Sequence, residues 1–175
     1  MDFTQTHFEL FSLPQSYALD RDRLDSAYRE LQHTVHPDRF AAKPEAEQRV
    51  AMQWATQANE AYQTLKHPVN RGVYLLHFQG IDAFDANNTK MAPAFLMQQI
   101  EWREAIEEAR AIRSTSALDT ILDELRVAHR SIEVQLADLI DTAHDFAAAS
   151  EAVRQLRFMD KLIAEVGDVY EELEN

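Results

Sequence analysis

An imidazole, a proline ring and a carboxylate stand side by side at His36-Pro37-Asp38, followed by Arg39 and Phe40. The chemistry of this group suits presentation to a partner better than catalysis. Pro37 cannot continue a helix and drives His36 out of helical backbone, so the tripeptide makes a stiff corner. Asp38 has only Arg39 and Lys43 nearby as basic neighbours. A rigid carboxylate beside an imidazole suits an arginine of another molecule, which can pair with it through two parallel hydrogen bonds. In isolation the triplet reads better as a helix stop followed by a solvated turn, and it is the surroundings that favour the partner reading. The other chemistry-bearing residues offer less. His33 and His36 are three apart, but Pro37 takes His36 off the helix and no third ligand has suitable spacing, so no metal site is expected. His129 and His144 raise the alternative of a histidine phosphotransfer protein, which leaves His36-Pro37-Asp38 unexplained. No serine–histidine–acid set, glycine-rich phosphate loop or paired carboxylate can be argued. The chain is therefore expected to be no enzyme, with no catalytic residue and no cofactor.

Two long helical patterns flank the tripeptide and must position it. The first runs from Asp20 to Val35, with Leu24, Ala27, Tyr28, Leu31 and Val35 at three-and-four spacing. Asp20 is its expected N-cap, and Asp22 places negative charge in the first turn. The second runs from Pro44 to Lys66, with Val50, Met52, Trp54, Ala58, Ala61, Tyr62 and Leu65 as its apolar stripe. Pro44 suits a helix start, and Glu45 and Glu47 suit the dipole. Two amphipathic helices joined by a short polar loop fold back as an antiparallel hairpin, leaving the tripeptide at the tip.

From Pro93 onward three more helices are expected, over 93–112, 116–143 and 146–173. Ser116 with Asp119 is read as the cap of the second and Asp145 as the cap of the third. Leu118, Ile121, Leu125, Ile132, Leu136 and Leu139 form one stripe; Val153, Leu156, Met159, Ile163, Val166, Tyr170 and Leu173 form the other. Short connections make this an antiparallel three-helix bundle. Its first helix has two faces to account for. Phe95, Trp102, Ile106 and Ala109 cluster on one side, which is the expected core. The opposite side carries Leu96, Met97, Ile100, Glu101, Glu104, Glu107 and Glu108, and Phe158 points away from the stripe of the last helix. Apolar groups mixed with a ladder of carboxylates read as an interface. Periodicity alone leaves open a widened core with solubilising glutamates.

Composition bounds the rest. The chain has 175 residues, three glycines and no cysteine. It is long enough for one or two domains with cores of their own, carries no β-type alternation, and excludes disulfides and thiolate metal sites. The start, Met1-Asp2, shows no basic or apolar leader, and no apolar run reaches the length of a membrane span. A soluble, cytoplasmic protein is expected. A net charge of −13 argues against nucleic acid or an anionic membrane as partner. Residues 1–80 hold 8 basic and 10 acidic side chains against 9 and 20 in residues 81–175, so the halves face different partners. Gly80, Asp82, Asp85, Asn87 and Asn88 break the periodicity between them, while Ile81 and Phe84 point to a linker that is packed down.

Beyond His36-Pro37-Asp38-Arg39, Tyr28-Arg29, Leu31, Asn59, Ala61-Tyr62, Leu65, Pro68, Arg71 and Tyr74 together resemble the J-domain of DnaJ-type co-chaperones. Phe3, Phe8, Leu10 and Phe11 before Leu13-Pro14 look like the short first helix of that domain. Phe95-Leu96-Met97-Gln98-Gln99-Ile100-Glu101-Trp102-Arg103-Glu104 and Val153-Arg154-Gln155-Leu156-Arg157-Phe158-Met159-Asp160-Lys161-Leu162 are similar to the HscB family, co-chaperones of iron–sulfur cluster assembly. The resemblance covers essentially the whole chain. It implies an all-α protein with a J-domain at 1–79, a linker at 80–92 and a three-helix scaffold-binding domain at 93–175. It implies two partners: a DnaK-type, HscA-like chaperone, whose ATP hydrolysis is stimulated, and an IscU-like cluster scaffold. His36, Pro37, Asp38, Arg39, Tyr28 and Arg29 would meet the chaperone. Leu96, Met97, Ile100, Glu101, Glu104, Glu108 and Phe158 would meet the scaffold, the same residues as the apolar–acidic face. Asp25, Glu30 and Thr34 dilute the basic surface before the tripeptide relative to general J-domains, which fits a dedicated chaperone. A J-protein serving a different client is the nearer alternative.

Overall fold

The computed structural model describes residues 4–87 and 90–174, and every regular element among them is helical. The expected roles of Phe3 and Asn88, and the Met1-Asp2 start, lie outside the described residues. The elements are α1 (His7–Leu10), α2 (Arg21–Val35), a 3-10 turn (Pro37–Phe40), α3 (Glu45–Lys66), α4 (Pro68–His77), α5 (Pro93–Ala111), α6 (Thr115–Asp141) and α7 (Phe146–Glu174). They form two compact units, Met1–Leu75 and Leu76–Asn175, the division falling inside α4.

In the first unit α2 and α3 pair as the expected hairpin. Asp20 caps α2 by accepting the Arg23 N–H at 3.1 Å, and α3 starts directly after Pro44. The buried side of α3 is Ala51, Trp54, Ala58, Ala61 and Leu65. Val50 and Met52, placed by sequence in that stripe, are 46% and 59% exposed. At 100° per residue Met52 lies nearly opposite Trp54, while Val50 falls at the edge of the buried face. Phe8 and Phe11 of the α1 region, Tyr17 and Leu24 complete the core. Tyr28 stacks on Tyr62 with centroids 4.0 Å apart, and their hydroxyls donate to Asn59 Oδ1 at 2.7 Å and Asp25 Oδ1 at 3.0 Å. Asp25 therefore also serves the hairpin interface.

The second unit is a three-helix bundle of α5, α6 and α7. Its core corrects two of the stripes. Ile140 is buried where Leu139 was expected on α6. On α7, Leu162 and Val169 are buried where Ile163 and Tyr170 were expected, and Leu173 is half-exposed. The cap of α6 is Ser114, which accepts the Ala117 N–H at 3.2 Å, two residues before Ser116. The reason lies at the end of α5. Arg113 adopts a left-handed φ of 51°, the Ser114 N–H reaches Ala109 O at 3.0 Å and the Arg113 N–H reaches Arg110 O at 3.1 Å. This turn closure places Ser114, not Ser116, at the next helix start. Asp145 caps α7 as expected, through the Ala148 N–H at 3.0 Å.

Candidate functional site

The tripeptide is held open by its own neighbours. Pro37 opens the 3-10 turn and ends α2 at Val35. The imidazole Nδ1 of His36 accepts the Asp38 N–H at 3.3 Å, which fixes the corner from inside. Arg39 does not pair with Asp38. Its guanidinium turns back to donate to the His33 carbonyl at 3.0 Å and to His33 Nδ1 at 2.9 Å, capping the end of α2. Asp38 is left with a side chain 89% exposed and His36 Nδ1, 3.6 Å away, as its nearest basic atom. A carboxylate on a stiff, solvent-facing corner, with the adjacent arginine already committed, can accept a cation from outside. Of the other residues assigned to this end, Arg29 is exposed and reaches only Ser26 Oγ at 3.4 Å. Tyr28 is half-buried in the hairpin, so its role is to hold the two helices in register.

In the second unit, Leu96, Met97 and Ile100 are 45%, 60% and 52% exposed. Trp102, Ile106 and Ala109 on the other side of α5 are buried. Phe95, assigned by sequence to the core side, is only half-buried; its ring meets Trp102 edge-on at 6.3 Å. The two faces of α5 are thus distinct, and the apolar trio is not a widened core. Glu101, Glu104 and Glu108 continue the trio along the exposed side. Gln98 donates to Glu101 at 2.9 Å, and Glu107 pairs with Arg110 at 3.0 Å. Glu104 and Glu108 have no cationic partner among the described residues. Phe158 differs from its expected free exposure. It is half-buried, edge-on to Phe95 at 6.1 Å, with the Arg103 guanidinium 5.3 Å from its ring centroid.

Three residues of α7 that sequence reading left without a role organise the approach to α5. Arg154 donates to the Ala83 and Lys90 carbonyls at 3.1 and 3.0 Å. Glu151 accepts the Ala92 N–H, just before α5, at 2.6 Å. Arg157 covers the Phe84 ring at 4.3 Å. Charged residues three apart along one helix edge, facing a segment that carries Phe84, were the available signal. Ala83 itself is buried.

The histidines do not form a second site. His129 bridges Glu133 on its own helix at 2.9 Å and Asp160 of α7 at 3.0 Å. The hydrogen bond to Asp160 first, then that to Glu133, lifts its pKa to about 9 against an opposing loss of solvation. With a carboxylate on each ring nitrogen, a phosphoryl group has neither access nor a favourable field. His144 is engaged with the Ile140 carbonyl at 2.9 Å. Among the described residues, no three histidine or acidic side chains are placed to share a metal ion. Nor is any helix among them long and apolar enough to cross a membrane.

Comparison with known proteins bears on both ends of the chain. Residues 91–167 match the family model described as the HSCB C-terminal oligomerisation domain. The co-chaperone protein HscB homolog of Burkholderia thailandensis is 56% identical over 170 residues, covering 97% of each chain. The solved structure of the chaperone HscB from Vibrio cholerae superposes with a TM-score of 0.83 at 38% identity, covering 97% of this chain and 99% of that one. The human co-chaperone protein HscB gives a TM-score of 0.85 at 27% identity, with coverage of 95% and 83%.

Proposed function

The chain belongs to the HscB family of co-chaperones, and we propose that it brings an iron–sulfur cluster scaffold protein, IscU-like, to a DnaK-type, HscA-like chaperone and stimulates that chaperone's ATP hydrolysis. The observation that carries this reading is the Asp38 carboxylate, outward on a braced corner with its neighbouring arginine turned away. An arginine of the chaperone would pair with it. Pro37 and His36 set the angle of approach, Arg39 holds the corner to α2, and Tyr28 and Arg29 flank it. The second partner would lie on Leu96, Met97 and Ile100, bordered by Glu101, Glu104 and Glu108, with Phe158 closing the patch from α7. Glutamates without internal partners favour a basic surface opposite them. Hydrolysis belongs to the chaperone, and the co-chaperone works by holding client and chaperone on one body. Residues 1–79 would act as the chaperone-binding module and 93–175 as the scaffold-binding module, with 80–92 between them.

Asp38→Asn keeps the size and shape of the side chain and removes its charge. Loss of one charge-assisted interfacial pair weakens productive engagement by about 2–5 kcal/mol. Steady-state ATPase assays should therefore show stimulation nearly gone, while circular dichroism and scaffold titrations match the parent protein. Full stimulation by the Asn variant would overturn the reading.

A further inference from the structure

A groove of about 440 Å³ lies beside the tripeptide, walled by Val35, Phe40, Val50, Ala51 and Trp54, with Glu47 as its charged edge. None of its lining residues is assigned to either partner surface. A solvent-open groove of this kind keeps its shape only where something holds its walls apart. Here two ties do so. On one side Arg39 fastens the 3-10 turn to the end of α2 through the His33 carbonyl, 3.0 Å away. On the other, Gln48 in the first turn of α3 donates to the Ala41 and Lys43 carbonyls at 3.2 and 2.8 Å. Phe40 is thereby held as a wall rather than folded in as filling, and the small side chains of Ala46 and Ala51 leave the space vacant. Val35, Ala51 and Trp54 form a buried floor, while Val50 at the rim is 46% exposed.

We propose that this groove receives an aliphatic side chain from the same DnaK-type chaperone whose arginine meets Asp38. The assignment rests on the reading of Asp38 given above. Phe40 is two residues from Asp38 in one short turn, and Val35 directly precedes His36, so the groove wall and the carboxylate are carried by the same turn. A partner seated on the carboxylate would have the groove within reach. Charge selects the same occupant, because Asp38 and Glu47 together favour a segment in which the aliphatic side chain neighbours basic residues. The two contacts divide the work. The groove supplies apolar burial and hence affinity, while the carboxylate fixes register and so governs how well the bound chaperone is stimulated.

Two full-length variants test this. Ala46→Phe fills the groove, and Val50→Asp puts a charge at its mouth; both positions are exposed, so neither change attacks the core. ATPase stimulation is titrated for each beside Asp38→Asn, with melting temperatures measured in parallel. The expected result is a half-saturating concentration raised on the order of tenfold in both groove variants, as for loss of one buried apolar anchor, with maximal stimulation kept. Asp38→Asn instead lowers the maximum. If Asp38→Asn is defective while both groove variants half-saturate within about twofold of the parent, close to measurement scatter on the free-energy scale, the groove proposal is overturned and the reading of Asp38 stands. In that case a raised melting temperature for Ala46→Phe identifies the groove as a packing gap. A concentration-dependent dimer that Ala46→Phe abolishes would make a second copy the occupant and equally overturn it. Normal stimulation by Asp38→Asn removes the underlying reading, whatever the groove variants do.

Discussion

Asp38 and Arg39 share a turn and use their charges in opposite ways. Arg39 spends its guanidinium on the open carbonyl end of α2, and the Asp38 carboxylate is left exposed without it. Sequence made the tripeptide visible and left the assignment of its neighbours open, since two residues with equal access to Asp38 differ only in where the backbone points them. The exposed face of α5 has the same character. Heptad reasoning separates Leu96 and Ile100 from Trp102 and Ile106 because 100° per residue is fixed. It placed Phe158 in free solvent, however, because no one-helix pattern reports that Phe95 and Arg103 of another helix reach its ring. A pair of substitutions tests the separation of core from interface. Leu96→Ala should weaken scaffold binding by on the order of 1–3 kcal/mol, mainly through faster dissociation, with an unchanged melt. Trp102→Ala should destabilise the bundle by about 3–5 kcal/mol, because it removes a buried ring. Surface plasmon resonance and thermal denaturation on the same two variants decide the matter. If Leu96→Ala melts as readily as Trp102→Ala, the face is core.

The helices themselves were readable from periodicity, and their ends much less so. Helix stops at Ser12, Arg113 and His144 use a left-handed residue that is not glycine, with φ between 51° and 53°, and only Gly80 offers the usual residue. A turn built on arginine leaves no glycine for a sequence reader to find, which is why the start of α6 was read at Ser116. Glycine instead sits where a helix does not need it. Gly167 lies inside α7, exposed, with open space where a Cβ would project. Gly167→Ala should therefore stabilise the protein by about 0.5–1 kcal/mol, read as a higher denaturant midpoint at unchanged slope. Between α6 and α7 the relevant contact is His129 with Asp160 and Glu133. Its folded pKa of about 9 exceeds the ordinary value of 6.5, so the protonated form holds the helices together. The stabilisation is complete below the unfolded pKa and fades as pH rises through about 9. Because the Asp160 side chain is 54% exposed, solvent screens the pair, and a contribution of about 1–2 kcal/mol is expected. Denaturant titrations of the parent and His129→Gln should differ by that amount near pH 6 and converge near pH 10. A gap that widens with pH would contradict the sign.

At the scale of the molecule, charge and contact tell one story from two directions. Formal charge is nearly balanced in residues 1–80 and strongly negative in residues 81–175, and the contacts also resolve into two compact units. Each unit has its own buried core: Phe8, Leu24 and Leu65 in the first, Ile106, Leu125, Leu136 and Leu156 in the second. Two cores in one chain were legible because each helical stripe finds partners within its own half. The anchoring of Ala83, Lys90 and Ala92 is legible only in outline, through Ile81 and Phe84, because Arg154 and Glu151 act on backbone atoms that no side-chain pattern advertises. If the two units bind different partners, sharing a chain would let them act by proximity, since tethering turns a second encounter into an intramolecular one. The effect needs no contact between the partners' binding sites, and it vanishes once the tether is cut. The isolated fragment 1–79 should thus retain the exposed Asp38 corner and stimulate the chaperone's basal ATPase. Adding scaffold protein should raise the rate further with the full chain and leave it unchanged with the fragment. The assay is a titration of scaffold against fixed chaperone with either form, with helix content of the fragment verified by circular dichroism. Equal potentiation by scaffold in both forms would mean that the scaffold acts on the chaperone directly, and that the acidic bundle is not what delivers it.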